Sequence, residues 1–216
     1  MYQEGISESL QRGPAYRIET KRLLLRAPDP KDAEAFHRAV LKNLDHLRPW
    51  MSWTRHEPRE LAGHRARLQE LRRYFQEGKD FVYTFFSSSD QQLLGAMGLQ
   101  TRQGPFAREL SFWIDQDYCG QGLTTEGASA LVRVAFEVDQ VHRVELHCDP
   151  ENRGSAHIAR RLGFEHEATL RDRRFYPSKR DPKDTMIWTL FRQDYLSSDA
   201  RHTWLRAYDR HGYRLI

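Results

Sequence analysis

The hydrophobic positions are most regular between residues 123 and 136, where they predict an amphipathic helix. Apolar side chains recur in this segment at the spacings i, i+3, i+4, i+7 and i+8, at Ala128, Leu131, Val132, Ala135 and Phe136. This spacing puts them on one face of a helix, and such a face is expected to pack on a sheet.

Other apolar runs, bounded by Gly, Pro, Ser or Asp, indicate strands. They cover Ile18 to Arg26, Phe81 to Ser87, Leu93 to Gln100, Leu110 to Asp115, Arg143 to Cys148, a run that starts at Gly163, and Met186 to Phe191. Helical spacing lies between them, at Lys31 to Lys42, Arg59 to Gln76 and Ser155 to Leu162, and a last helix is expected around Trp204.

The order of these elements predicts the fold class. The first half contains consecutive strands with short connections, which favours an antiparallel meander, whereas strands and helices alternate in the second half, which favours parallel pairing. We therefore expect an α/β protein with one mixed sheet. Residues 1–16 are polar and without pattern, so a flexible N-terminal arm is predicted there, and residues 193–216 form a tail expected to pack on the body or on a second subunit.

Bulk composition excludes several classes of protein. The chain of 216 residues is 39% hydrophobic and 30% charged, as in soluble globular proteins, and has no apolar run long enough to cross a bilayer. Its start lacks a secretory pattern and its two cysteines cannot build a disulfide framework, so a cytoplasmic protein is expected. The ten histidines form no recognised ligand motif, so no metal site is predicted.

The positive charge of the chain does not identify a partner. The net charge is +4 and the sequence pI is 9.1, and the late arginines are interspersed with carboxylates. A solvated surface of mixed charge is therefore favoured over a nucleic-acid-binding stripe, although a basic nucleic-acid-binding module stays an alternative.

A short glycine turn, residues 119–122, opens into the regular helix. Gly120 and Gly122 allow positive φ or a close approach to a ligand, and the first turn of a helix has backbone N–H groups without intrahelical partners. These donors and the helix dipole favour an anion, most often a phosphate. A flexible turn in front of a helix is the alternative.

Several blocks in order resemble the RimJ/RimL branch of the GNAT acetyltransferases. They are Glu19 to Arg26, Leu47 to Trp53, Glu109 to Gly127, His142 to Leu146 and Pro150 to Phe164, so that the resemblance spans residues 17–192. It implies a single-domain GNAT fold, with a mixed, mostly antiparallel sheet that splays at the cofactor site and helices on its faces. It also implies acetyl-CoA as the cosubstrate, and it suggests a homodimer, which is common in the branch.

The signature of the family falls on the glycine turn. The two glycines match, but Cys119 replaces an Arg or Gln, and Thr124 replaces a small residue and is expected to cap the helix instead. The resemblance implies that pyrophosphate is held by this segment, mainly by its backbone, at Cys119, Gly120, Gln121, Gly122, Leu123, Thr124 and Thr125.

The rest of the cofactor site is also implied by the resemblance. Pantetheine would lie between the strand that contains Trp113 and Ile114 and the strand from Arg143 to Cys148. Asn152 and Ser155 match a segment that touches the cofactor in the family. For Asn152, an ordinary turn or helix cap is the alternative.

Glu109 is the leading candidate for the general base, because it lies next to the predicted splay and would become more basic if partly buried. The alternative is an exposed carboxylate paired with a basic residue, and Asp172 is a weaker candidate for the base. Where many family members carry a tyrosine acid, this chain has Ala159, so that protonation of the thiolate passes to Ser155, Cys148 or water. Cys148 is alternatively a nucleophile or a small buried residue.

Trp50, Met51 and Trp53 are candidates for binding the acceptor, or for packing a lid on its own core. The resemblance implies acetyl transfer to an amine, with a protein N-terminal amine as the leading hypothesis. A small-molecule amine and a non-catalytic acetyl-CoA-binding protein remain alternatives.

Overall fold

The computed structural model describes residues 13–88, 92–174 and 182–216. The strands in these ranges are β1 Arg17–Glu19, β2 Leu23–Arg26, β3 Asp80–Ser87, β4 Leu93–Gln100, β5 Ala107–Ile114, β6 Arg143–Cys148, β7 Glu165–Arg174, β8 Lys183–Phe191 and β9 Arg206–Tyr208. The α-helices are α1 Ala33–Lys42, α2 Leu44–Leu47, α3 Leu61–Gln76, α4 Leu123–Glu137, α5 Arg153–Arg161 and α6 Arg192–Tyr195. Short 3-10 helices lie at Pro30–Asp32, Ser52–His56, Gln116–Tyr118 and Asp199–His202.

All nine described strands belong to one sheet, in the order β7-β8-β6-β5-β4-β3-β2-β1-β9. Neighbouring strands are antiparallel except for β5 and β6, which are parallel. The predicted mixed, mostly antiparallel α/β sheet is thus confirmed. The parallel pairing predicted around the glycine turn is confirmed by β5 and β6, and β8 lies between β6 and β7 and runs antiparallel to both.

The two parallel strands separate after three residue pairs. They pair at Ala107 with Arg143, Arg108 with Val144 and Glu109 with Glu145. Beyond this point residues 110–114 continue to pair with β4, and residues 146–148 continue to pair with β8. The backbone groups that face the gap are therefore left for other partners. We call this gap the splay, and it is the opening that the fold class predicts.

The sheet carries a separate hydrophobic core on each face. On one face, α4 buries the predicted apolar stripe completely, at Ala128, Leu131, Val132, Ala135 and Phe136. On the other face, residues 33–76 form a helical cover, whose Phe36, Leu68 and Leu71 pack with Trp113 of β5. The cover leaves room between itself and the splay, and this room holds the candidate site.

Two local predictions are wrong. The apolar run from Ile18 to Arg26 is a hairpin of β1 and β2, because Thr20 bends the chain by hydrogen bonding to Leu23. No helix surrounds Trp204: a 3-10 helix ends at His202, and β9 pairs with β1. This pairing covers the edge of β1 with backbone partners, which a helix could not supply.

Part of the predicted arm lies outside the described residues. Residues 1–12 are among those not described, but Ala15 is fully buried and its carbonyl accepts a hydrogen bond from the hydroxyl of Tyr83. None of the described helices is both long and apolar enough to cross a membrane. Within the same ranges, no group of three His, Cys, Asp or Glu residues is placed to hold a metal ion.

Candidate active site

A cleft of about 510 Å³ lies between the helical cover and the splayed strands. Its floor is formed by β4, β5 and the end of β6, and its walls by the cover and the start of α5. The cleft brings together eight residues that the sequence singled out: Trp50, Met51, Trp53, Glu109, Trp113, Cys148, Asn152 and Ser155. Ile114 and the segment 119–125 are not part of its lining, and exposed Asp172 lies away from it on β7.

Glu109 is buried in the floor of the cleft and is held by two side chains. Its carboxylate accepts hydrogen bonds from both Nε and Nη2 of Arg102, with Nε at 2.6 Å, and from Nε2 of Gln103 at 2.8 Å. Burial alone would raise the pKa of Glu109, but the bonds and charge of Arg102, with His147 and Gln103, together lower it. The expectation that burial makes Glu109 more basic is therefore wrong, because the residue is buried together with a cation.

His147 of β6 connects Glu109 to a second carboxylate. Its Nε2 lies 2.7 Å from Oε2 of Glu145, and its Nδ1 lies 3.7 Å from Oε2 of Glu109. Arg143 in turn donates from Nε to Oε1 of Glu145 at 2.7 Å. A continuous row of charged and imidazole groups thus crosses the last paired residues of β5 and β6.

The sequence reasoning missed His147, Glu145 and Arg102. Alternation along β6 was the available signal, because Arg143, Glu145 and His147 occupy every second position and so share one face of the strand. A polar face on a predicted buried strand indicates a site, but only the pairing of β5 with β6 identifies Glu109 as its neighbour.

The far end of the cleft is formed by the turn from β6 into α5. Asn152 caps α5, since its Oδ1 accepts from the backbone N–H of Ser155 at 3.0 Å, so the helix-cap alternative is realised while both residues still line the cleft. Cys148 is only 5% exposed and packs in the core. Next to it, Asp149 is buried, and its Oδ2 has no hydrogen-bond partner in the described ranges.

The aromatic segment of the cover faces Trp113 across the cleft. The rings of Trp53 and Trp113 are 6.3 Å apart, and Met51 and Trp53 also pack against the core below the cover. Met51 and Trp53 thus both line the cleft and pack the cover on its core, so their positions are compatible with either predicted role.

The glycine turn leaves a row of backbone donors without partners. Gly120 and Gly122 have φ angles of 76° and 75°, and Gly122 takes the N-cap position of α4. No described group accepts a hydrogen bond from the backbone N–H groups of residues 120–125. Thr124 lies inside the first turn of α4, so its predicted role as the N-cap is wrong. Left-handed Gly122 starts the helix instead.

Three carboxylates around the glycine turn are paired with cations from the first 42 residues. Glu126 is paired with Arg22, and Lys42 lies 2.9 Å from Oδ2 of Asp115 and 2.5 Å from Oδ2 of Asp117. Their negative charge, which would oppose an anion at the turn, is thereby offset in part, since one lysine serves two of them.

The thiol of Cys119 is not set up as a thiolate. Its Sγ is 3.9 Å from Nε2 of His46, and burial, with the nearby charge of Asp115, raises its pKa. A neutral thiol at this position supplies no charge to an anion, so the electrostatics of the turn depend on its backbone and on neighbouring cations.

A family model, the acetyltransferase (GNAT) domain, matches residues 22–165. The chain belongs to the GNAT acetyltransferases. The predicted family is thus confirmed, and the matched range includes the helical cover, the splay and the glycine turn. As a GNAT enzyme, the chain is an acyltransferase that moves an acetyl group.

Similar proteins agree with this membership. The ribosomal protein uS5 alanine N-acetyltransferase of Escherichia coli (strain K12) is 27% identical over 161 residues, which are 74% of this chain and 83% of the relative. A solved RimL, a ribosomal L7/L12 α-N-protein acetyltransferase in complex with coenzyme A, has a TM-score of 0.73 at 22% identity and covers 82% of this chain and 97% of its own. The microcin C7 self-immunity acetyltransferase MccE, in complex with acetyl-CoA and AMP, has a TM-score of 0.73 at 16% identity, over 80% of this chain and 93% of its own. At these identities the two structures show the shared GNAT fold.

Proposed function

We propose that this GNAT enzyme transfers the acetyl group of acetyl-CoA to the α-amino group of a protein N-terminus. The observation that carries the proposal is the weak base in the cleft: Glu109 is buried, but its pKa is lowered by its hydrogen-bonded neighbours. The sequence relative is named an alanine N-acetyltransferase of ribosomal protein uS5, which agrees with this acceptor class.

The chain has groups that fit the parts of acetyl-CoA. The backbone N–H groups of residues 120–125, for which the described part of the chain offers no acceptor, suit a pyrophosphate at the start of α4. The backbone groups of residues 110–114 and 146–148 that face the splay suit the amides of pantetheine, with Asn152 and Ser155 close by. Bound acetyl-CoA supplies an acyl thioester, whose carbonyl one of the N–H groups in the splay would polarise.

The acceptor amine must be neutral to react. How strong a general base the enzyme needs therefore depends on the pKa of that amine. An α-amino group with a pKa near 7.8 is about a quarter neutral at physiological pH, whereas a lysine near 10.4 is about one part in a thousand neutral. A carboxylate with a lowered pKa is a poor base for a lysine but suffices for an α-amine. Glu109 therefore suits the N-terminal acceptor better.

His147 gives the proton a route out of the cleft. It lines the cleft between Glu109 and Glu145, and an imidazole can accept a proton at one nitrogen and release one from the other. Ser155, half-buried at the start of α5, is the residue we propose to donate a proton to the leaving thiolate.

The test is a thiol-release assay on matched acceptors. Peptides with a free α-amine should be turned over, while the same peptides with a blocked N-terminus and an internal lysine, and small amines, should not. Turnover of small amines alone would refute the N-terminal acceptor, and acetyl-CoA binding without any turnover would favour a non-catalytic role.

The proposed base is tested in the same assay. Glu109→Gln and His147→Gln should lower kcat more than they lower acetyl-CoA affinity, and His211→Gln, an exposed histidine of the tail, serves as the control. An unchanged rate in Glu109→Gln would remove Glu109 from this role.

A further inference from the structure

A second buried carboxylate lines the cleft, on the side of the helical cover. Glu57 follows the 3-10 helix Ser52–His56, and its side chain is 4% exposed. Oε2 of Glu57 lies 3.2 Å from Nε2 of His64, a residue of α3 that is 1% exposed. Glu57 and His64 are distant in sequence from Glu109 and His147. All four side chains nevertheless line the same cleft.

The imidazole of His64 has a buried nitrogen with little hydrogen bonding. Its Nε2 lies 3.2 Å from Oε2 of Glu57, and among the described residues no hydrogen bond of good geometry reaches it. Buried polar atoms in folded proteins nearly always have a partner, so this nitrogen in the wall of a cleft is available to an ordered water or to a ligand. His37 lies against the same ring, with centroids 5.0 Å apart, and does not satisfy this nitrogen.

The charge of Glu57 is less well compensated than that of Glu109. Glu109 has two hydrogen bonds from one guanidinium, whereas Glu57 accepts from the backbone N–H of Arg59, at 2.9 Å, and from no guanidinium of the described residues. The guanidinium Nε of Arg59 is 3.6 Å from Oε1 of Glu57 and donates to the carbonyl of His56 instead. Burial, the largest effect, lowers the pKa of His64, so at neutral pH the imidazole adds no positive charge. A buried carboxylate in this state favours a cation from outside.

We propose that Glu57 and His64 form a subsite for a second cation of the acceptor, a lysine or arginine side chain that follows the reactive N-terminal amine. Glu57 supplies the opposite charge, and Nε2 of His64 accepts a hydrogen bond from the ammonium or guanidinium. The neighbouring Met51 and Trp53 offer apolar surface for the aliphatic part of such a side chain. The reactive amine itself has to reach the splay, where Glu109 and His147 lie. This inference rests on the proposed function and specifies its acceptor class.

The other charged groups at this end of the cleft are arginines. Arg67 is paired with Glu70 at 2.6 Å, and exposed Arg55 donates from Nε to the ring of His56 at 2.9 Å. These arginines would favour an acceptor with an acidic side chain, which is the opposite of what Glu57 favours. The preferred charge of the acceptor side chain can therefore be measured.

The experiment uses the full chain and a set of peptides with one N-terminus. Positions two, three and four carry, in turn, lysine, the uncharged norleucine or glutamate, and kcat and KM are measured for each. Lysine in at least one position should raise kcat/KM about tenfold over norleucine, mainly through KM, and Glu57→Gln should remove this preference. Glu57→Asp should restore part of it, and Glu60→Gln, an exposed neighbour, should keep it.

Three outcomes would overturn the subsite. They are equal kcat/KM for lysine and norleucine peptides, a preference for glutamate, and a lysine preference that survives in Glu57→Gln. If no peptide is acetylated, the proposed function fails. Calorimetric titration of the same peptides with coenzyme A present then tests separately whether the subsite exists. Lysine-dependent binding that is lost in Glu57→Gln supports it, and the absence of such binding overturns it.

Discussion

Arg22 and Glu126 join the hairpin at the start of the sheet to the first turn of α4. The backbone N–H of Arg22 donates to Oε1 of Glu126 at 3.0 Å, and its guanidinium Nε donates to Oε2 at 2.6 Å. Nη1 of the same side chain donates to the carbonyl of Gln121 in the glycine turn at 2.9 Å. Arg22 thus pairs with the carboxylate of Glu126 close to the proposed pyrophosphate site, and it also hydrogen bonds to the backbone of the glycine turn.

Arg22→Gln should weaken acetyl-CoA binding by about three- to tenfold, with a smaller effect on kcat. The substitution exposes the charge of Glu126 to the anion and releases the carbonyl of Gln121, and a half-exposed charged contact of this kind contributes about 1 kcal/mol. Calorimetric titration with acetyl-CoA measures the change. Glu126→Gln introduced together with Arg22→Gln should recover part of the affinity, whereas Lys21→Gln, at an exposed neighbour, should not change it.

Gly95→Ala should destabilise the protein by about 2 to 3 kcal/mol. A Cβ at this position would overlap the carbonyl oxygen of Trp113 in β5 and lie 2.7 Å from the ring of Phe85 in β3, and neither can move without disturbing its strand. Gly98→Ala on the same strand is the matched control, because its nearest neighbour, Oγ of Ser111, would be 3.3 Å away. Denaturant unfolding of both variants provides the measurement, and equal losses would contradict the steric explanation.

The free energy of unfolding should fall as the pH is lowered below about 6.5, partly because of His64. Burial, the largest effect, lowers the pKa of His64 below its ordinary value of 6.5, as do the charges of His37 and Arg59, while Glu57 opposes them. The unfolded chain therefore binds a proton at this residue before the folded chain does, so this contribution is complete above pH 6.5 and is lost below it.

The size of the effect can be isolated by substitution. His64→Gln should flatten the pH dependence below pH 6.5, whatever it does to absolute stability. The largest change in slope, about 1.4 kcal/mol per pH unit, is expected where the unfolded chain carries this proton and the folded chain does not. Urea unfolding between pH 5 and 8 gives the slopes. The exposed His211→Gln should leave the slope as it is, and an identical slope in His64→Gln would show that His64 titrates normally.

Cys148→Ala should retain acetyl transfer, with kinetics that require both substrates to be bound together. The thiol is 5% exposed and packs in the core, where it resembles a small apolar residue more than a nucleophile. Initial-rate patterns and intact-protein mass spectrometry distinguish the two routes. An acetylated wild-type enzyme that disappears in Cys148→Ala, but not in Cys119→Ala, would establish the covalent route instead.

Local patterns in the sequence were sufficient for the elements and for the glycine turn. The periodicity from residue 128 to residue 136 predicted the buried face of α4, and the bounds of β4 and β6 agree with their apolar runs. Each of these features depends on residues close together in the chain, so that periodicity and turn chemistry specify it. The tail was predicted wrongly because β9 is stabilised by a partner, β1, that is almost 190 residues away in sequence.

The sequence by itself determined the family, the order of the elements and the candidates that line the cleft. Only the tertiary structure decided their electrostatics. The sequence predicts that burial makes Glu109 a stronger base. In the structure Arg102 is hydrogen bonded to Glu109, and the pKa of Glu109 is lowered instead. The alternation along β6 marked His147 as part of a polar face but did not name its partners, and Glu57 carried no such signal, because the electrostatic effect of a charged group depends on the groups packed around it. Those groups come from distant parts of the chain, and folding alone brings them within hydrogen-bond distance.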